Sequence, residues 1–253
     1  MIIQKGNLLK YSLHLADNSL ILGHRLSEWA GHGPILEQDI AMSNIGLDLI
    51  GQARNFYQYC SLIDDKNQSE DYYAYLRQEN QYSNLLLLEH PNLDFGYTVA
   101  RQFLYSNFAF LYFAELKKST DLQLSAIAEK SLKEIAYHVR WANEWIIRLG
   151  DGTEESHNRI QQSINDLWKF TGEFFTPTEF EIFASESNFG VDVLKLKHRW
   201  KSSIENVFNE ATLTTPNDEW MLIGGKNGVH TESMGYLLSE LQYLQRLLPN
   251  SNW

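Results

Sequence analysis

Cysteine occurs once in this 253-residue chain, at Cys60, so neither a disulfide within one chain nor a cysteine-built zinc site is available. That usage fits a reducing compartment, and the cytoplasm is the expected location. Proline is also scarce, at five residues, which leaves room for long uninterrupted helices. Alternating apolar and polar runs of strand type are lacking throughout. No apolar run approaches the roughly 20 residues that span a bilayer. The most apolar stretch, Phe103 to Ala114, is broken by Ser106 and Asn107. The segment Met1 to Lys10 has no signal-peptide core, so a soluble protein is expected. Positive charge is short as well: 21 Lys and Arg face 32 Asp and Glu, for a net charge of −11. This balance argues against nucleic acid or membrane as partner and suits a protein with a basic face.

What is present is helical periodicity, with 43% hydrophobic and 13% aromatic residues to build a large core. The pattern predicts long helices over 7–30, 36–63, 95–118 and 122–149. Gly31-His32-Gly33-Pro34 stops the first of them. A crossover over 72–92 contains the run Leu85 to Leu88, read as a short helix. Further helices are predicted over 154–174, 177–185, 191–212 and 230–248. Thr153 is placed as a cap and Pro177 in a first turn. The order of elements suits an all-α, ferritin-like four-helix bundle. One domain is expected over 1–253, with a bundle core at about 7–150 and accessory helices at about 154–248.

Two helical segments carry the frame of a di-iron motif without its carboxylates. Ferritin-like di-iron bundles present Glu-x-x-His from each of two helices and a further Glu from each of two more. Residues three apart share a helix face and can grip one ion. Here the corresponding pairs are Leu49-x-x-Gln52 and Ile135-x-x-His138, and only His138 retains a ligand type. The third long helix has no carboxylate between Asp94 and Glu115. On the first helix Asp17 and Glu28 are candidate donors, but their spacing prevents both from sitting at one depth.

A rebuilt site from Asp48, Glu134 and His138 is the alternative. Each carboxylate lies one position from the motif, a rotation of about 100° about the helix axis. The stronger reading makes Asp48, Gln52, Glu134 and His138 a metal-free polar cluster. Leu49 and Ile135 then fill volume, and Arg54 or Arg140 supplies positive charge.

Other constellations carry less. Gly224-Gly225-Lys226-Asn227-Gly228-Val229-His230 lacks the Lys-Ser/Thr ending of a phosphate loop. It reads as a glycine-rich turn into the last helix, with contact to a partner or to substrate phosphates as the alternative. His14 and His24 share a helix but are too far apart for one metal. The aromatic residues from Phe103 to Phe113 surround their helix and are expected in the core.

The blocks Leu15-Ala-Asp-Asn18, Leu26 to His32, Asn44 to Asn55 and Gln81 to Leu88 together carry a resemblance. Lys133 to His138, Gly224 to Glu232 and Glu240 to Arg246 extend it over essentially the whole chain. The sequence resembles the C-subunit family of multicomponent phenylacetyl-CoA epoxidases (ring 1,2-phenylacetyl-CoA monooxygenases). The resemblance implies a structural, non-catalytic ferritin-like subunit that pairs with a homologous catalytic A subunit. That partner would hold the di-iron centre, with other subunits completing the complex and no cofactor in this chain. A self-contained metal-dependent oxygenase at Asp48, Glu134 and His138 is the competing expectation. Self-association without the partner is left open.

Overall fold

The computed structural model describes residues 2–249 and 251, so Met1, Asn250, Asn252 and Trp253 of the 1–253 span lie outside the described residues. Helices make up the architecture, with no strand among the described residues. Eight α-helices occur among them: α1 Ile2–Ser27, α2 Leu36–Ile63, α3 Phe95–Leu116, α4 Leu122–Gly150, α5 Glu154–Trp168, α6 Glu179–Glu186, α7 Lys197–Glu210 and α8 Glu232–Leu247. The chain divides into two compact units. One comprises residues 1–91 with 224–253, and the other residues 92–223. This division does not follow the expected split between a 7–150 core and later accessory helices.

In the first unit α1 and α2 form a long helical hairpin, joined by the turn that Gly31 and Pro34 enforce. Gly31 sits at φ +81, a left-handed conformation that costs glycine little. The two helices cross closely at Gly23 and Gly46. A Cβ on Gly23 would lie 3.2 Å from the Gly46 carbonyl oxygen and from Leu49 Cβ. Buried along the hairpin are Leu15, Ile21, Leu22, Leu26, Met42, Ile45, Leu49 and Phe56. The segment after α2 winds through a π-helical turn, Tyr72–Leu76, and short 3-10 turns at Glu79–Gln81 and Leu86–Glu89. α8 returns to pack on this segment. The helix expected at 7–30 runs instead over Ile2–Ser27, and residues 28–32 form turns.

The second unit is built around α3, which is buried on nearly every side, as its all-round apolar pattern requires. α4, α5 and α7 pack on it. Phe108 stacks on Phe174 at 4.6 Å between ring centroids. Trp168 lies 5.6 Å from Trp200, whose indole N–H donates to the Leu104 carbonyl at 3.1 Å. Of the aromatic residues on α3, Phe103, Tyr105, Phe108, Tyr112 and Phe113 are core, while Phe110 is partly exposed.

Helix ends follow cap chemistry. Asp94, Asp121 and Thr153 each accept a backbone N–H from the first turn of the helix they precede. Thr178 caps α6 with Glu181 in a reciprocal box, so Pro177 lies outside the helix rather than in its first turn. The helix expected over 154–174 ends at Trp168 and continues as a 3-10 turn, Thr171–Phe175. That expected over 191–212 begins with the 3-10 turn Val193–Leu196, because Asp192 caps Leu194 N–H at 3.2 Å.

Candidate functional site

The first half of the motif frame lies on α2. Leu49 and Gln52, each 2% exposed, share its buried face, and Asp48 stands beside that face, half-buried. The second half lies on α4 and repeats the arrangement. Ile135 and His138 are buried while Glu134 is half-buried. The His138 ring meets Tyr137 edge-on at 6.3 Å. At the two positions where a di-iron helix would aim a carboxylate inward, this chain aims a leucine and an isoleucine. The one-residue offset of Asp48 and Glu134 shows in their burial: both are turned partly toward solvent.

α3 offers no replacement. Its buried middle holds Tyr105, Ser106 and Asn107. Ser106 Oγ donates to the Gln102 carbonyl at 2.7 Å, and Asn107 Nδ2 donates to Asn143 Oδ1 at 2.9 Å. The two basic side chains expected to stand in for iron do not do so. Arg54 is exposed and pairs with Glu70 at 3.2 Å, while exposed Arg140 lies over the Tyr137 ring at 5.6 Å.

The two carboxylates expected as donors, Asp17 on α1 and Glu28 in the turn just after it, are both tied to arginines. Asp17 is fully buried and forms an ion pair with Arg77, itself 3% exposed. Asp17 also accepts from Tyr57 Oη at 2.7 Å and from Ser83 N–H at 2.9 Å. Arg77 completes its fork on the carbonyls of Tyr73 and Gln81 and stacks over the Tyr82 ring at 4.0 Å. Burial and then the Asp17 charge raise the pKa of the Tyr57 phenol well above its usual value, so it stays protonated and donates. Glu28 accepts from Arg25 at 2.8 Å, and Arg25 also binds the carbonyls of Glu89 and Ser233.

Residues that the motif search passed over hold this unit together. His14 and Asn18 stand one turn apart on α1. The His14 ring bonds the Ser83 carbonyl, and Asn18 Oδ1 accepts from Leu85 N–H at 2.8 Å. Glu89 is buried and takes four donors: Asn84 Nδ2, His230 Nδ1, Thr231 N–H and Thr231 Oγ1, at 2.6 to 2.9 Å. The signal for these roles was in the Asp17-Asn18 and Gln81 to Leu88 blocks. Their partnership requires residues more than 60 positions apart, which periodicity cannot pair.

The glycine-rich loop is spent on packing. Gly225–Asn227 is a 3-10 turn, with Gly224 at φ +150 and Gly228 at φ +76. The N–H groups of Asn227, Gly228 and Val229 close onto carbonyls within the loop at 2.8 to 3.0 Å. A Cβ on Gly225 would lie 2.2 Å from the Asn84 carbonyl oxygen, so glycine permits this close approach. N–H groups committed in this way do not form an anion cradle.

The family model described as phenylacetic acid catabolic protein matches residues 3–253. The chain is 46% identical over 248 residues to the C subunit of the 1,2-phenylacetyl-CoA epoxidase of Escherichia coli (strain K12). The alignment covers 98% of this chain and 100% of that protein. The all-α, ferritin-like fold expected from the sequence is the fold of this chain.

Proposed function

This chain belongs to the phenylacetic acid catabolic protein family, and from that premise we propose that it is the non-catalytic, structural subunit of a multicomponent di-iron monooxygenase. The reaction of the complex would be epoxidation of the ring of phenylacetyl-CoA in aerobic phenylacetate degradation. The homologous catalytic A subunit would hold the irons, and both would work in the cytoplasm beside the other subunits. No helix among the described residues is long and apolar enough to cross a membrane.

One observation carries the non-catalytic reading: the inward positions of both motif helices are filled by Leu49 and Ile135. Bridging two irons takes hard carboxylate oxygens, and aliphatic side chains have no donor atom. The residues present therefore do not fit a di-iron centre. α3 supplies no carboxylate, and the buried carboxylate of α1, Asp17, is held by Arg77.

A second feature favours a subunit. Leu36, Ile40, Leu47 and Ile50 are exposed on α2, Leu36 by 71% and Leu47 by 67%. At 100° per residue they fall within a sector of roughly 80°, an apolar face interrupted by Ser43. Such a face in water suits burial against another helical subunit. The function of this chain would then be mechanical: to bury helices of its catalytic partner and hold that bundle in shape.

The test loads the chain with Fe(II) anaerobically, desalts it and measures iron, alongside the variant Asp48→Asn/Glu134→Gln/His138→Ala. No iron dependent on those three residues is expected, and oxygenase activity should require the catalytic subunit. Iron at one or two per chain that disappears in the triple variant would establish a self-contained oxygenase instead.

A further inference from the structure

His24 is out of place as a packing residue. It stands in the last turns of α1, one turn before Glu28, and α8 brings Glu240 to the same spot. One ring nitrogen of His24 and one carboxylate oxygen from each glutamate all lie within 4.8 Å of one another. His24 Nε2 is shielded from solvent, yet it has no hydrogen-bond partner among the described residues. Buried polar atoms are nearly always paired, so an imidazole with an unpaired nitrogen, whose ring stands beside two carboxylates, calls for a ligand.

We propose that His24, Glu28 and Glu240 form a divalent transition-metal site, of the class that zinc occupies, which clamps α8 to α1. The donor set is one imidazole nitrogen and two carboxylate oxygens, the chemistry that zinc and its neighbours accept with a water in the remaining position. His24 lies in the last turn of α1 and Glu28 in the turn that directly follows, which brings the Glu28 carboxylate back toward the ring. Both glutamates are exposed, and their side chains can close from 4.8 Å to coordination distance without disturbing the core. Arg25 opposes the cation, since it holds Glu28 at 2.8 Å. Two carboxylates against one guanidinium still leave the pocket net negative, and a carboxylate has a second oxygen to offer.

This site is separate from the motif frame on α2 and α4 and does not depend on the subunit reading. Its test uses the full-length chain without an affinity tag, titrated with Zn²⁺ against a chromophoric chelator, and with Co²⁺ followed by visible absorption. One equivalent should bind, with a rise in melting temperature on adding Zn²⁺. His24→Ala and Glu240→Gln should each weaken binding by more than roughly a hundredfold, beyond the usual cost of losing a supporting residue. Glu240 is exposed, so its variant stays folded even if His24→Ala does not. Binding unchanged in Glu240→Gln, or no binding by the wild-type chain, would overturn the proposal. In the iron experiment above, iron lost in Glu240→Gln but kept in the triple variant belongs to this site.

Discussion

Asp17 is spaced along α1 as an iron ligand could be, yet in the fold it is the anion of a buried ion pair with Arg77. Tyr57 and Ser83 satisfy its remaining lone pairs, which is what makes a charge tolerable at zero exposure. Removing one partner of such a pair strands the other charge. Asp17→Ala should therefore cost about 3–5 kcal/mol of stability, read as a lower urea midpoint. A change under roughly 1 kcal/mol, the range of surface pairs, would show that the pair is solvated. Cys60 illustrates the same control by burial. Its thiol pKa is pushed far up, chiefly by burial and then by the Asp17 charge, which disfavours the reactive thiolate.

At the scale of elements, the start of the C-terminal helix is anchored by a buried carboxylate. Glu89 binds Thr231, the N-cap residue of α8, and His230 just before it. The imidazole faces an acceptor at each nitrogen, Glu89 Oε1 at 2.6 Å and the Tyr82 carbonyl at 3.1 Å. Two acceptors call for two N–H donors, which only the imidazolium provides. Burial alone would lower the pKa of His230, but the Glu89 hydrogen bond and charge outweigh it, and the net shift is upward. A raised folded-state pKa contributes stability that is fully present below the unfolded value of about 6.5. That contribution is lost as pH rises through the folded value. The stability gap between the wild-type chain and His230→Gln should thus be widest below about pH 6.5 and shrink above it. Denaturant titrations across that range would check this, and a gap that widens with pH would refute it. The loop before this helix obeys a steric rule instead, since Gly225 sits where a Cβ would strike the Asn84 carbonyl.

At the scale of the molecule, the apolar face on α2 links fold to role. If it meets the catalytic subunit, Leu36→Glu combined with Leu47→Glu should weaken that association by more than roughly tenfold, as buried interface anchors do. Both side chains are mostly exposed, so the variant's own stability should stay within about 0.5 kcal/mol of wild type. Equal affinity of variant and wild type in a surface-binding assay would move the interface elsewhere.

Helix number, type and most boundaries were legible in the sequence because 3.6-residue periodicity and cap residues act locally. α2 begins and ends where the pattern places it, and Thr153 caps α5 as expected. The residues at the i and i+3 positions of the two motif segments were legible too, for they are written in the chain: Leu49, Gln52, Ile135 and His138. Local signals failed where short turns compete with helices, as at Asp192 and Pro177. They were silent wherever distant segments meet. The pairing of Asp17 with Arg77 and of Glu89 with His230, and the approach of Glu240 to His24, depend on the folding of α1, the 72–89 segment and α8 onto one another. Whether a charged side chain becomes a ligand, a salt-bridge partner or an exposed group is set by its neighbours in space. The tertiary structure alone determines those neighbours.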